Sequence, residues 1–312
     1  MFLRHLINPK PSIIGSFIVF CVLFVSIPII NIDISVLFSN NYLHCVIVFL
    51  FALIAPFFLA LGLNNMIYEK NIIKKENLVL GFIFILLSSP FINCVDLWIS
   101  SFLLLFLFNY LIGSYQKDLP FSYFYNASML LGVLSFLYPN LIFLFCLLII
   151  HGINYSNLNW RIIVISLLGL ATPYIFYFVF AFVTENNFLM PNFFDFSIVN
   201  ISLIQNLSLS ETFFVVTVFI VMCVSFLELF LWLYKKSIKS RRSFMTVIWF
   251  CVISLLIAFY SGIDYFYFSL LPLSIIAANY FVYTKNRRIA NFLFFILLIS
   301  SLYYRYMIGF NV

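Results

Sequence analysis

The stretch ETFFVVTVFIVMCVSFLELFLWLYKKSIKSRR, residues 211–242, decides the fold class. Its apolar run at 212–234 is long enough for a membrane-spanning helix, since about 20 helical residues cross the hydrocarbon core of a bilayer. The run ends in a cluster of lysines and arginines at 235–242. Such clusters are typical of the cytoplasmic ends of membrane helices. The segment therefore predicts a transmembrane helix whose C-terminal end faces the cytoplasm.

The composition of the whole chain agrees with this segment. Of its 312 residues, 65% are apolar and only 8% are charged, against about 45–50% and about 25% for a soluble globular domain. A single soluble core of this length cannot hide so much apolar surface, whereas a bilayer solvates it directly. The composition excludes a soluble protein and predicts an all-α, polytopic membrane protein.

Polar interruptions divide the chain into about eleven apolar segments, and we expect about eleven transmembrane helices. The segments lie approximately at 13–30, 44–63, 78–93, 97–113, 121–137, 140–153, 162–183, 212–234, 244–260, 265–283 and 290–305. We predict one membrane domain over residues 1–312. The loop at 184–211 contains no Lys or Arg and mixes Phe and Ile with polar residues. We expect it to lie along the external interface, as a packed lid or as a substrate gate.

The distribution of cations predicts the orientation, because cytoplasmic loops accumulate Lys and Arg. With the N-terminus inside, every Lys and Arg except Arg305 falls on the cytoplasmic side. An odd number of spans then places the C-terminus outside. This topology explains the net charge of +6, and we therefore expect no nucleic-acid partner. The partner that the pattern requires is the lipid bilayer.

Four acidic residues are candidates for chemistry. Asp33 follows the first span, where a carboxylate at an aqueous rim can accept a proton from an attacking hydroxyl or hold a divalent cation against a phosphate. Asp96 and Asp264 lie at later turns on the same predicted external face. Glu228 is the acid inside a predicted span, where a carboxylate is costly and marks an ion or proton site or a residue that reaches the interface. No motif for a metal site or for nucleotide binding appears, and no cofactor is expected beyond that cation.

Three segments carry a resemblance to known families. They are SFLYPNLIFLFCLLIIHGI (135–153), NWRIIVISLLGLATPYIFYFVF (159–180) and IDYFYFSLLPLSIIAANYF (263–281). They resemble an uncharacterised family of bacterial multi-pass inner-membrane proteins. More distantly, they are similar to the spans of GT-C glycosyltransferases, which use polyprenyl-phosphate sugars and carry the catalytic acid in the first external loop.

The GT-C resemblance implies a role for each candidate residue. Asp33 would be the catalytic acid, assisted by Asp96 and Asp264, and Arg305 with Tyr304 would bind the phosphate of a polyprenyl-linked sugar at the external face of a bacterial inner membrane. Two other functions stay open. One is a non-catalytic scaffold or subunit of a larger inner-membrane complex, which binds other membrane proteins. The other is a small-molecule or proton-coupled transporter that uses Glu228.

Overall fold

The computed structural model describes residues 2–7, 9–26, 42–91, 95–185, 191 and 208–308, which fold as helices joined by turns. The α-helices, in chain order, are α1 (Phe2–Leu6), α2 (Pro11–Ser26), α3 (Tyr42–Glu69), α4 (Val79–Leu87), α5 (Val95–Gly113), α6 (Phe121–Leu137), α7 (Phe145–Asn154), α8 (Trp160–Val183), α9 (Leu209–Leu233), α10 (Ile238–Ser261), α11 (Phe266–Tyr283) and α12 (Arg287–Ile308). Short 3₁₀ helices lie at Ser89–Phe91, Pro139–Leu144 and Ile263–Tyr265. Within these ranges no strand forms, and the one isolated β-bridge joins Ile7 to Asn77.

Each predicted apolar segment overlaps one of these helices within the described residues. Among the described residues, six helices are long and apolar enough to cross a membrane. They are Asp96–Gly113, Trp160–Val183, Leu209–Leu233, Ile238–Ser261, Phe266–Tyr283 and Arg287–Met307. The all-α, multi-pass membrane class is thereby supported, while the total of about eleven crossings stays a prediction.

Local sequence explains where several helices begin and end. Ser208 caps α9, since its hydroxyl accepts from the Glu211 amide at 3.3 Å while the Glu211 carboxylate accepts from the Ser208 amide at 2.7 Å. This reciprocal pair satisfies two amides that a helix start leaves open. At the C-terminal end of α10, the helix stops at Gly262, whose φ is 113°. This backbone conformation favours glycine.

The chain packs as two compact units, each assembled from discontinuous segments. The first unit comprises Met1–Trp98, Ile201–Lys236 and Leu273–Val312, and the second comprises Ile99–Asn200 and Ser237–Pro272. The division falls inside α5 and α11. The expectation of one membrane domain stays a prediction.

The first unit contains α2, α3, α4, α9 and α12 with the second part of α11. Aromatic rings fill its core, as where Phe17 of α2 and Phe82 of α4 lie 4.5 Å apart between ring centroids. Gly81 permits this contact, since a Cβ there would lie 3.3 Å from the Phe17 ring. Between α9 and α12, the Thr217 hydroxyl donates to the Ser300 hydroxyl at 2.8 Å.

The second unit is organised around a close crossing of α6 and α8. At this crossing, a Cβ on Gly169 would lie 2.6 Å from the Tyr125 carbonyl oxygen, and one on Gly132 would lie 2.7 Å from the Leu170 carbonyl oxygen. Both distances are too short for any side chain, so the two helices approach through their backbones. Small residues are the usual means of such approach in membrane helix packing, where dispersion contacts replace the hydrophobic effect.

In the first unit, the structure has contacts between segments that the charge pattern assigns to the same side of the membrane. Loops assigned to the cytoplasm meet at one end, where the Lys74 amide donates to the Tyr283 hydroxyl at 3.0 Å and the Lys236 ammonium lies 3.9 Å from the Tyr283 ring centroid. Segments assigned to the outside meet at the other end, where Arg305 contacts the Phe24 carbonyl.

The second unit has contacts of the same kind. Asn157 donates to the Ser114 carbonyl at 3.0 Å, which joins two loops of the predicted cytoplasmic side. Asn140 donates to the Ser261 hydroxyl at 2.8 Å, which joins two segments of the predicted external side. The choice of which end faces the cytoplasm, and the positions of the termini, stay predictions.

Candidate functional sites

Arg305 is a buried cation at the predicted external end of the first unit. Its side chain is only 1% exposed. The guanidinium Nε donates to the Phe24 carbonyl at 3.4 Å, and Nη1 donates to the Ser89 carbonyl at 3.5 Å. The guanidinium carbon also lies 5.9 Å from the centroid of the Phe24 ring. Arg305 thus joins the last helix, α12, to the end of α2 and to the 3₁₀ helix that follows α4.

Tyr304, the second residue assigned to phosphate binding, is also buried. Its ring stacks on Phe214 of α9, with 5.2 Å between centroids and an interplanar angle of 28°. The aromatic pair holds α12 against α9 beside Arg305. Its visible role is therefore in packing.

Of the three acids predicted at the external face, the structure describes Asp96 and Asp264. Asp33 lies outside the described residues. Asp96 is exposed in the first turn of α5, where the positive end of the helix dipole favours a carboxylate. Asp264 is exposed in the second unit, in the 3₁₀ helix Ile263–Tyr265.

The structure brings Arg305 to the chain segments that lead into two of these acids. The Phe24 carbonyl lies nine residues before Asp33, and the Ser89 carbonyl lies seven residues before Asp96. Both carbonyls bond to the same guanidinium. Among the described residues, no group of three or more His, Cys, Asp or Glu has a metal-binding arrangement, so a divalent cation stays an untested expectation.

A cleft with basic residues lies at the opposite end of the first unit. It has a volume of about 500 Å³ and lies between the C-terminal half of α9 and the corner that joins α11 to α12. We call it the lysine cleft. Its lining residues are Val224, Leu227, Glu228, Leu231, Trp232, Lys235, Tyr283, Thr284, Lys285 and Asn286.

An aromatic pair at the lysine cleft carries two ammonium groups. Trp232 and Tyr283 lie 4.9 Å apart between ring centroids. The Lys236 ammonium lies 3.7 Å from the Trp232 centroid and 3.9 Å from the Tyr283 centroid, and the Lys75 ammonium lies 5.2 Å from the Tyr283 centroid. Burial, and to a smaller extent the like charges of Lys74 and Lys75, together lower the pKa of Lys236 to about 8.

Glu228 lines the inner wall of the lysine cleft. Its carboxyl group has a side-chain hydrogen bond with Thr284, at the start of the α11–α12 corner. The acid is therefore accessible from the cleft and has a polar partner. Its predicted place inside a span agrees with its position in α9, seven residues before Lys235.

His151 forms a polar contact inside the second unit that the sequence did not indicate. Its side chain is completely buried. The Ser114 hydroxyl donates to the Leu111 carbonyl at 2.7 Å, so it accepts from His151 Nε2–H at 3.0 Å. The Thr246 hydroxyl can then donate to Nδ1, at 3.1 Å. His151 thus links α7 to α10 and to the turn after α5.

The comparisons with known proteins give one match. The model of a family of unknown function, DUF6427, matches residues 6–310. The chain belongs to this family. The match confirms the resemblance to an uncharacterised family that the sequence indicated. No curated protein and no solved structure matches the chain.

Proposed function

We propose that this DUF6427 protein binds a polyprenyl-phosphate-linked sugar at the end of the first unit that carries Arg305, and transfers the sugar as a GT-C-type glycosyltransferase. The observation that supports the proposal is the burial of the Arg305 guanidinium against the Phe24 and Ser89 carbonyls. An ionisable group kept within a membrane span is costly and is commonly part of a functional site. Arginine is also the residue best suited to phosphate, because its planar donors match the phosphate oxygens.

The acids supply the chemistry that transfer requires. In the proposed step, the oxygen of an acceptor hydroxyl attacks the anomeric carbon of the sugar. The bond from that carbon to the phosphate oxygen breaks, and the polyprenyl phosphate leaves with the electron pair. The acceptor proton passes to the Asp33 carboxylate. Asp96 assists at the next turn, and Arg305 with Tyr304 holds the phosphate as its charge grows. The assisting role of Asp264, which belongs to the second unit, stays a prediction.

A binding experiment tests the role of Arg305 before any acceptor is known. Purified protein is titrated with undecaprenyl phosphate and, separately, with undecaprenol, which has the same chain without the charge. We expect the phosphate to bind more tightly and Arg305→Gln to lose at least about tenfold of that preference, because a hydrogen bond to a charged group contributes about 1.5–3 kcal/mol. Arg305→Lys keeps the positive charge and shows whether a loss of binding in Arg305→Gln results from a loss of folding. Arg288→Gln, at the other end of α12, is the matched control. Equal preference in Arg305→Gln and in Arg288→Gln would refute the site.

A transfer assay tests the acids. Asp33→Asn should keep the binding of undecaprenyl phosphate and lose transfer of a labelled sugar from the lipid donor. Unchanged transfer removes Asp33 from the mechanism. An unaltered protein that binds the lipid phosphate but transfers no sugar in any membrane extract removes the enzyme function.

The surface of α8 favours the second candidate, a scaffold for other membrane proteins. In the most apolar 18-residue stretch of this helix, only 17% of the residues are buried. Large side chains such as Phe176, Phe180 and Phe182 are more than half exposed. A scaffold would copurify with stoichiometric membrane partners after gentle solubilisation, and Phe176→Ala with Phe180→Ala would release them. Isolation of the protein alone would leave this surface to lipid.

A further inference from the structure

We propose that the lysine cleft binds an anionic phospholipid, with the lipid phosphate among the lysines and one acyl chain along the apolar side of α9. This site lies at the opposite end of the first unit from Arg305, and it does not depend on the proposed transferase activity. The argument rests on the gathering of cations, on the shape of the cleft and on the order of residues along its wall.

The cations come from three distant parts of the chain. Lys75 precedes α4, Lys236 follows α9, and Lys285 lies between α11 and α12. The Lys75 and Lys236 ammonium groups contact one tyrosine ring, and Lys235 and Lys285 line the cleft beside it. The positive charges of these lysines repel each other, and an anion that lies among them would offset this repulsion. A phosphate supplies that anion.

The aromatic pair makes this gathering a built feature of the fold. Trp232 and Tyr283 hold the Lys236 ammonium between 3.7 and 3.9 Å from their ring centroids, which is within the range of a cation–π contact. The Lys74 amide fixes the Tyr283 hydroxyl at 3.0 Å. The loop before α4 is thereby tied to the end of α11, and its lysines stay at the cleft.

The wall of the cleft selects a lipid over a soluble anion. Val224, Leu227 and Leu231 recur at the spacing of one face of α9, which is the helical period of three to four residues. Lys235 follows in the turn after the helix. The basic end of this stripe is at the predicted interface, and its apolar part runs toward the middle of the span. Leu227 and Leu231 are 68% and 73% exposed, so a ligand at the lysines meets an apolar track that fits an acyl chain.

Glu228 does not oppose a phosphate at the mouth of the cleft. It lies five residues before Leu233, the last residue of α9, which is about 7.5 Å at 1.5 Å per residue. At that depth it faces the glycerol and ester region of a lipid. Its carboxyl group also has Thr284 as a hydrogen-bond partner. The lysines therefore dominate where the phosphate would lie.

The fluorescence of Trp232 provides a direct test. The purified protein is placed in phosphatidylcholine vesicles that contain a small fraction of phosphatidylglycerol brominated on its acyl chains, or the same fraction of brominated phosphatidylcholine. Bromine quenches tryptophan only at close range. The signal of Trp232 is isolated by subtracting the signal of a Trp232→Phe variant under the same conditions. We expect stronger quenching by the anionic lipid at equal fraction.

Two variants and one competitor complete the test. Lys235→Gln with Lys285→Gln, both at exposed positions, should weaken the preference for the anionic lipid by about fivefold for each lysine. Arg288→Gln, which removes an exposed charge outside the lining of the cleft, should leave it unchanged. Equal quenching by the two brominated lipids, or equal losses in the cleft and control variants, would overturn the proposal. Relief of the quenching preference by inorganic phosphate in the buffer would identify a site for a soluble anion and would also overturn it.

Discussion

Replacing Gly169 with alanine would force α6 and α8 apart. The new methyl group would lie 2.6 Å from the Tyr125 carbonyl oxygen and would also overlap the Ser128 hydroxyl. Since one obstacle is backbone, the helices must separate along a crossing that also contains Gly132. Overpacking of this kind costs about 1–3 kcal/mol, and alanine returns about 1 kcal/mol through its higher helix propensity. Because two atoms must move, we take the upper end of the overpacking cost, about 3 kcal/mol, and expect a net loss of about 2 kcal/mol from the free energy of unfolding.

The measurement is the thermal midpoint of the detergent-solubilised protein, followed as the fraction that stays monodisperse on heating. A loss of about 2 kcal/mol should lower this midpoint by about 3 °C, because the unfolding entropy of a chain of 312 residues is large. Gly15→Ala is the matched control, because no atom lies within 4 Å of a Cβ at that position in α2. The control should keep or raise the midpoint. If Gly169→Ala and Gly15→Ala shift it equally, the close crossing of α6 and α8 is refuted.

Three further predictions use other parts of the molecule. Replacing His151 with Phe should lower the same thermal midpoint, since two buried hydrogen bonds to the ring are lost at about 0.5–1.5 kcal/mol each, while Ser114 keeps the Leu111 carbonyl and Thr246 keeps the Arg242 carbonyl. An unchanged midpoint would show that the bonds to the ring contribute no net stability. The pKa of Lys236 falls to about 8, so the unfolded chain binds more protons than the folded chain between about pH 8 and 10.4. The stability of the lipid-free protein should therefore rise with pH across that window. A Lys236→Gln variant that keeps the same rise would contradict the assignment of the shift to Lys236. An impermeant amine reagent added outside intact cells should not label the lysines at 235–242, and labelling there would reverse the topology.

Hydrophobic run length was enough to predict the helices, because each predicted segment had to satisfy its own backbone in the bilayer. The prediction for α6, at 121–137, agrees with the structure at both ends. The sidedness of the helix ends stays a prediction from charge, which rests on one choice of orientation that satisfies every loop.

The candidate sites could be predicted only in part, because burial depends on residues that are remote in sequence. Arg305 lies among tyrosines, a pattern that equally suits an interfacial anchor, and only the carbonyls of Phe24 and Ser89 make it a buried cation. His151 is similar, since its partners lie on other helices. These contacts have no local sequence signal.

The lysine cleft also depends on contacts between residues that are remote in sequence. The charge pattern explained Lys75 and Lys236 fully as markers of topology. Their shared contact with Tyr283 joins segments that are about two hundred positions apart. A linear pattern predicts on which side of the membrane these residues lie, but not that they meet on one ring.

The bond between Arg305 and the Phe24 carbonyl spans 281 positions of the chain. At about 5–20 residues per second, a ribosome needs roughly 15–55 s to make the second partner after the first. During that interval the earliest helix waits in the insertion machinery or the bilayer without its closing contact. A chain released before Arg305 is made would therefore lack the contact with the Phe24 carbonyl. We expect such a chain to be more open to proteolysis than the complete protein.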